Sequence, residues 1–180
     1  MRMRNIIFVV IAAVSTVVNA NSLHIRSSNT QIVDSFISEM FPDTIPQSNA
    51  LWLSAEQRTQ LTGILGHAPR TLRIKYRQNA NRTLWIFDEI GKVKPITIGV
   101  FIRAGEIATI RVLQFRESRG WEIKYSFFTD QFQNIAIDDQ LQLTASIDGI
   151  TGATLSVGAM KRVARAALFL DHMLDGGWDK

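Results

Sequence analysis

The chain has 180 residues, of which 46% are hydrophobic and 20% are charged, a balance typical of globular proteins and not of disordered, collagen-like or repeat proteins. Its formal net charge of +4 includes Arg2 and Arg4, and no run of Lys or Arg concentrates the remaining charge, so nucleic acid is not an expected partner. The sequence contains no cysteine, which excludes disulfides, cysteine-ligated zinc or iron–sulfur centres and c-type haem attachment.

The first twenty residues have the pattern of an export signal. Two arginines precede an uncharged, mostly apolar run from Ile6 to Val18, and Val18-Asn19-Ala20 supplies small residues for a signal peptidase. A membrane anchor is the alternative, but the apolar run is shorter than the roughly 20 residues that a spanning helix needs. We therefore predict a signal peptide over 1–20 and an exported protein, in the periplasm or on the outer face of the inner membrane.

Residues 21–68 are predicted to form a helical N-terminal extension with two helices. In the first helix, apolar residues recur at helical spacing over Ile32–Met40, and Pro42 ends the pattern. A polar linker through residues 47–49 follows. The second helix is predicted from Ser54–Gln57, which has the pattern of a capping box.

From Arg70 the apolar period changes to two, which predicts strands. Three apolar residues alternate with three basic ones over 72–77, so the basic side chains share one strand face, which is either solvated or able to meet an anionic ligand. A further strand is predicted at Thr83–Phe87. The alternating runs 96–102 and 107–115 predict a hairpin of an antiparallel sheet with one polar and one apolar face.

Two segments with aromatic residues follow this hairpin. The first, Arg116–Trp121, is a charged loop that ends in an aromatic residue beside a glycine. In the second, Phe127, Phe128 and Phe132 predict a short apolar helix or turn. Trp121 and Phe128 offer flat faces on which a ligand ring can stack, and core packing is the alternative for each of them.

The segment with the clearest chemical signal is Asp148-Gly149-Ile150-Thr151-Gly152-Ala153-Thr154. An apolar stripe at helical spacing follows it and predicts a helix over 155–170, with the basic residues of that helix facing away from the stripe. Thr154 is therefore expected at a helix N-terminus, where free backbone N–H groups stabilise an anion such as phosphate. Small Gly152 and Ala153 leave the threonine hydroxyl accessible, and a simple threonine helix cap is the alternative.

The string Asp148-x-x-Thr151-Gly152-Ala153-Thr154 resembles the Asp-x-x-Ser/Thr-Gly-Ala-Ser/Thr signature of the FMN-binding domain family. That family includes the G subunit of Rnf-type electron-transport complexes and the C subunit of the sodium-pumping NADH:quinone reductase. The resemblance extends over the second half of the chain, from the 96–115 hairpin to the alanine-rich helix after the motif. It implies an FMN-binding domain over 69–175, in a chain whose front half is similar to small stand-alone exported members.

The resemblance implies that FMN is joined to Thr154 by a phosphoester bond. In the family, a separate extracytoplasmic flavin transferase makes this bond from FAD in a magnesium-dependent reaction. No His or Cys lies near Thr154 in the sequence to activate its hydroxyl, so an outside catalyst is expected. The other candidate cofactor-binding residues, in the motif and in the segments around it, are Asp148, Gly149, Thr151, Gly152, Ala153, Leu155, Glu117, Trp121 and Phe128.

The predicted function is that of an electron carrier rather than a stand-alone enzyme. The flavin is its expected redox centre, because haem and iron–sulfur ligands are absent, and its partners are expected to be membrane or periplasmic redox proteins. We find no acid/base pair and no NAD-binding glycine motif, and His24, His67 and His172 lack ligand spacing, so neither a catalytic nor a metal site is predicted. The alternative is a non-redox ligand-binding or assembly module with non-covalent FMN or none.

The predicted fold class is α+β. We expect a twisted antiparallel sheet from about residue 70 to residue 115, packed against the C-terminal helix that follows Thr154. The two N-terminal helices are expected together at one side or end of this sheet.

Overall fold

A computed structural model describes residues 20–174 of the chain, with side chains from residue 29 onward. The predicted signal peptide, apart from its last residue, lies outside the described residues. The described part is an α+β fold, which confirms the predicted class, and no helix in it combines the length and apolar character needed to cross a membrane. Its main elements are α1 (Ala20–Met40), β1 (Ser48–Trp52), α2 (Ala55–Leu65), β2 (Arg73–Asn79), β3 (Arg82–Ile90), β4 (Pro95–Arg103), β5 (Glu106–Gln114), α3 (Ser126–Thr129) and α4 (Thr154–Leu174).

The strands form one antiparallel sheet in which each strand pairs with its neighbour in sequence, in the order β1-β2-β3-β4-β5. Positive φ angles at Ala104 (53°) and Gly105 (79°) give the tight turn between β4 and β5 the conformation of a type I′ hairpin. The interpretation of residues 47–49 as a linker is wrong in part, because β1 begins at Ser48. Its residues show no apolar alternation, and the strand exists because its backbone pairs with Arg73–Arg77 at the edge of the sheet.

Helices cover both faces of β4, so the predicted polar face of the sheet is wrong. All residues from Ile96 to Ile102 in β4 are buried. Alternate residues of this strand contact two separate apolar clusters: one contains residues of α2 and α4, and the other contains Phe36 and Ile37 of α1 with Phe41, the residue after that helix. The two N-terminal helices therefore lie on opposite faces of the sheet and not together at one side, because each carries an apolar face that needs its own partner surface.

The capping box predicted for α2 is present. The backbone N–H of Ser54 donates to Oε1 of Gln57 (2.9 Å), and the backbone N–H of Gln57 donates to Oγ of Ser54 (3.2 Å). At the other end, Gly66 adopts a left-handed conformation (φ 78°) and its N–H donates to the carbonyl of Thr62. These local bonds determine where α2 begins and ends, and so which of its residues face α4.

A buried hydrogen-bond chain joins the last turns of α4 to β3. The hydroxyl of Thr83 donates to the carboxylate of Asp171 and accepts from Nε1 of Trp85 at 3.0 Å. All three residues are buried, and the Tyr76 ring stacks on Trp85 with 5.0 Å between ring centroids. Because buried polar groups are costly without partners, this chain restricts how α4 can lie over the sheet.

Close approach of α1 to the sheet requires a glycine on β4. A Cβ built on Gly99 would lie 2.8 Å from Cδ1 of Phe36, a side chain that is only 1% exposed. The Phe36 ring therefore occupies the space that any other residue at position 99 would fill.

We expect Gly99→Ala to lower the free energy of unfolding by about 1–3 kcal/mol, because the Phe36 ring must move out of a packed position. Urea denaturation of the full chain measures this change. Gly63→Ala is the matched control: Gly63 lies inside α2, and nothing lies within 4 Å of the position that an added methyl group would take, so the same substitution is expected to raise stability by about 0.5–1 kcal/mol. Equal effects at the two sites would contradict the close packing.

Candidate functional site

Thr154 is the first residue of α4, and its side chain is exposed, as the sequence predicts. A turn precedes it, in which the N–H of Ala153 donates to the carbonyl of Ile150 at 3.0 Å. Gly152 occupies the third position of this turn with φ 83°, a conformation that favours glycine. The N–H of Val157 donates to the carbonyl of Ala153 (2.9 Å), so the N–H groups of the residues between them have no helical acceptor.

Two side chains from other parts of the fold hold the segment that leads into the motif. Oε1 of Gln131 accepts from the backbone N–H of Asp148 at 2.7 Å, while Nζ of Lys161 donates to the carbonyl of Ile147 at 2.6 Å. The side chain of Asp148 itself is exposed. Neither Gln131 nor Lys161 was predicted as a site residue, because their contacts join segments remote in sequence and leave no local pattern.

The basic residues of α4 lie off its buried apolar stripe, as predicted, but their charged ends reach other elements of the fold. Nε and Nη2 of Arg162 donate to Oε1 of the buried Glu89 at 2.9 and 2.8 Å. Nε of Arg165 donates to the carbonyl of Leu141 at 2.6 Å, and burial lowers the pKa of this guanidinium. Helical periodicity shows where such a side chain leaves the helix, but its long stem lets the charged end reach acceptors on other elements.

Glu117 holds the turn between β3 and β4. Its Oε1 accepts from the backbone N–H groups of Lys92 (2.8 Å), Val93 (2.5 Å) and Lys94 (2.7 Å). The bonds from Val93 and Lys94 contribute most to lowering the pKa of this carboxyl group below its ordinary value. The structure thus gives Glu117 a role in ordering a loop, and its predicted contact with a cofactor stays a prediction.

The loop from Arg116 to Trp121 lies against the first turn of α4, and Gly120 makes the contact. A Cβ built on Gly120 would lie 2.6 Å from Oγ of Ser156 and 3.5 Å from Cβ of Ala153. Gly120 also has φ 85°, so both its conformation and its close approach require glycine. This contact brings Trp121, the next residue, to the helix N-terminus that carries Thr154.

Aromatic side chains are exposed beside this helix N-terminus. Trp121 is 44% exposed and meets Tyr125 edge-on with 5.3 Å between ring centroids, and Phe127 is 61% exposed. Trp121 therefore has the accessible face predicted for ligand contact. Phe128, by contrast, is fully buried against Phe132 in the core and exposes no surface to a ligand in this structure.

The site as a whole is an exposed surface centred on the first turn of α4. The predicted cofactor-binding residues that are exposed here are Asp148, Gly149, Thr151, Gly152, Thr154, Leu155 and Trp121, while Ala153 and Phe128 are buried. Free backbone N–H groups with the positive end of the helix dipole suit an anionic group. The apolar surfaces of Trp121 and Leu155 suit an apolar ring attached to that anion.

Comparison with known proteins identifies a domain in the chain. Residues 91–169 match the family model described as FMN-binding domain. This range includes the β4–β5 hairpin, the loop that ends at Trp121, the complete motif and most of α4. No curated protein matches the chain.

We expect Glu117→Gln to destabilise the fold in a pH-dependent way. The folded-state pKa of Glu117 is lowered, so the ionised carboxylate stabilises the fold above the unfolded pKa, and this contribution is lost as the pH falls through the folded pKa. The variant should therefore be less stable than the wild type at pH 7, and the difference should shrink as the pH falls below about 4.

Urea denaturation at a series of pH values measures this difference. Glu106→Gln, at an exposed glutamate of the β4–β5 hairpin, controls for loss of a surface carboxylate. A loss of stability in Glu117→Gln, relative to the wild type, that is equally large at low and neutral pH would contradict the role of the carboxylate charge.

Proposed function

Residues 91–169 make this chain a member of the FMN-binding domain family, and from that premise we propose that it is an exported electron carrier with FMN joined covalently to Thr154. The family match itself makes the chain an FMN-binding flavoprotein. One observation carries the covalent proposal: the exposed Thr154 is the last residue of the complete motif and begins a 21-residue helix. Export is proposed from the N-terminal sequence pattern, and electron transfer from the chemistry of flavin.

The residues around Thr154 fit an FMN phosphate. Backbone N–H groups in the first turn of α4 lack helical acceptors, and the helix dipole favours a negative charge there. At Gly149 and Gly152, nothing lies within 4 Å of the position that a Cβ would take, so the space beside these two residues is open. Gln131 and Lys161 hold the backbone before the motif in place, which keeps this surface ordered before FMN binds.

We propose that a separate flavin transferase makes the bond, with this chain as its substrate. A threonine hydroxyl is a weak nucleophile at neutral pH and needs a base. The two histidines whose side chains the structure describes lie elsewhere: His67 bonds Glu89, and His172 is about 27 Å along α4 from Thr154. In the reaction, Oγ1 of Thr154 bonds to the FMN phosphorus of FAD, the phosphoanhydride bond breaks, AMP leaves, and the hydroxyl proton passes to a base of the transferase. The expected magnesium ion belongs to the transferase reaction.

When bound, the isoalloxazine ring supplies the one- and two-electron chemistry of flavins. The task of the chain is to orient the ring and to limit its contact with water. Trp121, which follows Gly120 at the first turn of α4, offers an exposed stacking surface, and Tyr125 and Phe127 extend the exposed aromatic surface away from it. We propose that a membrane or periplasmic redox partner docks on this aromatic surface, because exposed aromatic residues are enriched at protein interfaces.

We expect the wild-type chain, exported from cells that contain a flavin transferase, to gain the mass of FMN less one water. Thr154→Ala should show no gain, whereas Thr154→Ser, which keeps a hydroxyl at the same position, should retain the flavin. Intact-mass analysis after denaturation measures this, and an N-terminus at Asn21 would confirm the predicted signal cleavage. An unmodified wild-type chain, with a transferase active on another substrate, would favour the non-redox binding module instead.

We expect Trp121→Ala to raise the reduction potential of the bound flavin. The indole face carries negative charge density and disfavours the charge that the ring gains on reduction, so its removal favours the reduced form. Spectroelectrochemical titration of the flavin-loaded protein measures the potential. Trp52→Ala is the matched control, since Trp52 is 69% exposed on β1, and it should leave the potential unchanged. Identical reduction potentials in the wild type, Trp121→Ala and Trp52→Ala would contradict contact between Trp121 and the flavin ring.

A further inference from the structure

β2 and β3 separate at one end of the sheet, and a cleft opens between them. These strands pair only where Tyr76–Asn79 meets Arg82–Trp85. Beyond that point Arg73–Lys75 stays paired with β1, while Ile86–Ile90 stays paired with β4. The end of α2 closes the space between the diverging strands, which leaves a cavity of about 500 Å³. Ligand sites in proteins commonly have volumes of about 300–1,000 Å³.

The cleft has an apolar interior and a basic rim. Its apolar lining includes Leu61 and Leu65 from α2 and Phe87 from β3. Its basic lining consists of Arg70, Arg73 and Lys75, all of which are exposed. Arg73 and Lys75 belong to the basic strand face for which the sequence leaves open a solvated or an anion-binding role.

The two acidic residues that line the cleft are bound by side chains other than the rim cations. Glu89 accepts from Arg162 at 2.8 Å and from Nε2 of His67 at 3.0 Å. The carboxylate of Asp88 lies 3.9 Å from Nη1 of Arg116. These acidic groups therefore do not neutralise the rim, and the cleft keeps a positive potential.

None of the ion pairs between residues of the described range involves the three rim cations. The guanidinium of Arg73 lies 5.9 Å from the centroid of the Trp52 ring, a contact that orients the group without neutralising its charge. Arg70, Arg73 and Lys75 thus carry three positive charges at the mouth of an apolar cavity. A negative charge placed there would interact with all three in a partly desolvated setting.

We propose that this cleft binds a small amphipathic anion, that is, an apolar ring or chain that carries an acidic group. The apolar body would lie against Leu61, Leu65 and Phe87, and the acidic group would meet the basic rim. The cleft contains no motif residue. Arg162, which binds Glu89 at its edge, follows Thr154 by about 12 Å along α4, and the proposal does not depend on covalent flavin.

Isothermal titration calorimetry with 2-naphthoate tests the proposal, with neutral 2-naphthamide and inorganic phosphate as comparison ligands. The full chain is titrated both with FMN bound and as Thr154→Ala. We expect saturable one-to-one binding of 2-naphthoate in both forms, at least about tenfold tighter than either comparison ligand, because only this probe satisfies both the apolar interior and the basic rim. Shifted backbone amide resonances over 61–75 and 86–89 should locate it in the cleft of the wild-type protein.

Arg73→Gln with Lys75→Gln should weaken 2-naphthoate at least about tenfold and leave 2-naphthamide unchanged. Arg103→Gln with Lys124→Gln, which removes two exposed cations that do not line the cleft, is the matched control and should change 2-naphthoate affinity less than about twofold. The proposal is overturned by absence of saturable binding, by amide shifts outside the cleft, by phosphate binding as tight as naphthoate, or by equal losses in the two double variants.

Discussion

Burial of α4 against the sheet is the interaction on which the rest of the molecule depends. The helix contacts β3, β4, β5 and α2, and almost all of its residues from Val163 to Asp171 are buried. Polar contacts hold it along its length: Lys161 bonds the segment before the motif, Arg162 bonds Glu89, and Asp171 accepts from Thr83. Because the helix cannot shift without breaking these bonds, its exposed first turn has a fixed position, and the proposed flavin site is built on that turn.

The parts of the fold that sequence predicts are those that local bonds determine. The capping box at Ser54 and the threonine at the start of α4 each depend on residues within a few positions, so both helices begin where the pattern indicates. β1 and the covered second face of the sheet were missed for the opposite reason. β1 needs a partner about 25 residues away, and burial of the second face needs α1, so neither leaves a signal in its own segment.

The candidate site likewise has one part that the sequence predicts and another that depends on residues remote in sequence. The motif and its resemblance to the family point to Thr154, but the residues that shape the surroundings act across long sequence separations. Gln131 and Glu117 bind backbone N–H groups of other segments, and Gly120 is required by the approach of Ser156. Phe128 is a predicted cofactor contact because its ring is flat and apolar, but it is buried in the core. Residue type alone does not distinguish a ligand contact from a core position.

The chain order of the sheet has a consequence for when the proposed flavin site forms. Each strand pairs with its sequence neighbour, and only short loops join β2 to β5, whereas the bond between Thr83 and Asp171 joins residues 88 positions apart. α4, which follows the sheet in the chain, is therefore the element that completes the core. By the proposed route, in which the chain crosses the membrane unfolded, the threonine lies on an unfolded segment without the helix dipole until α4 docks, so this docking would act as a checkpoint before the proposed modification.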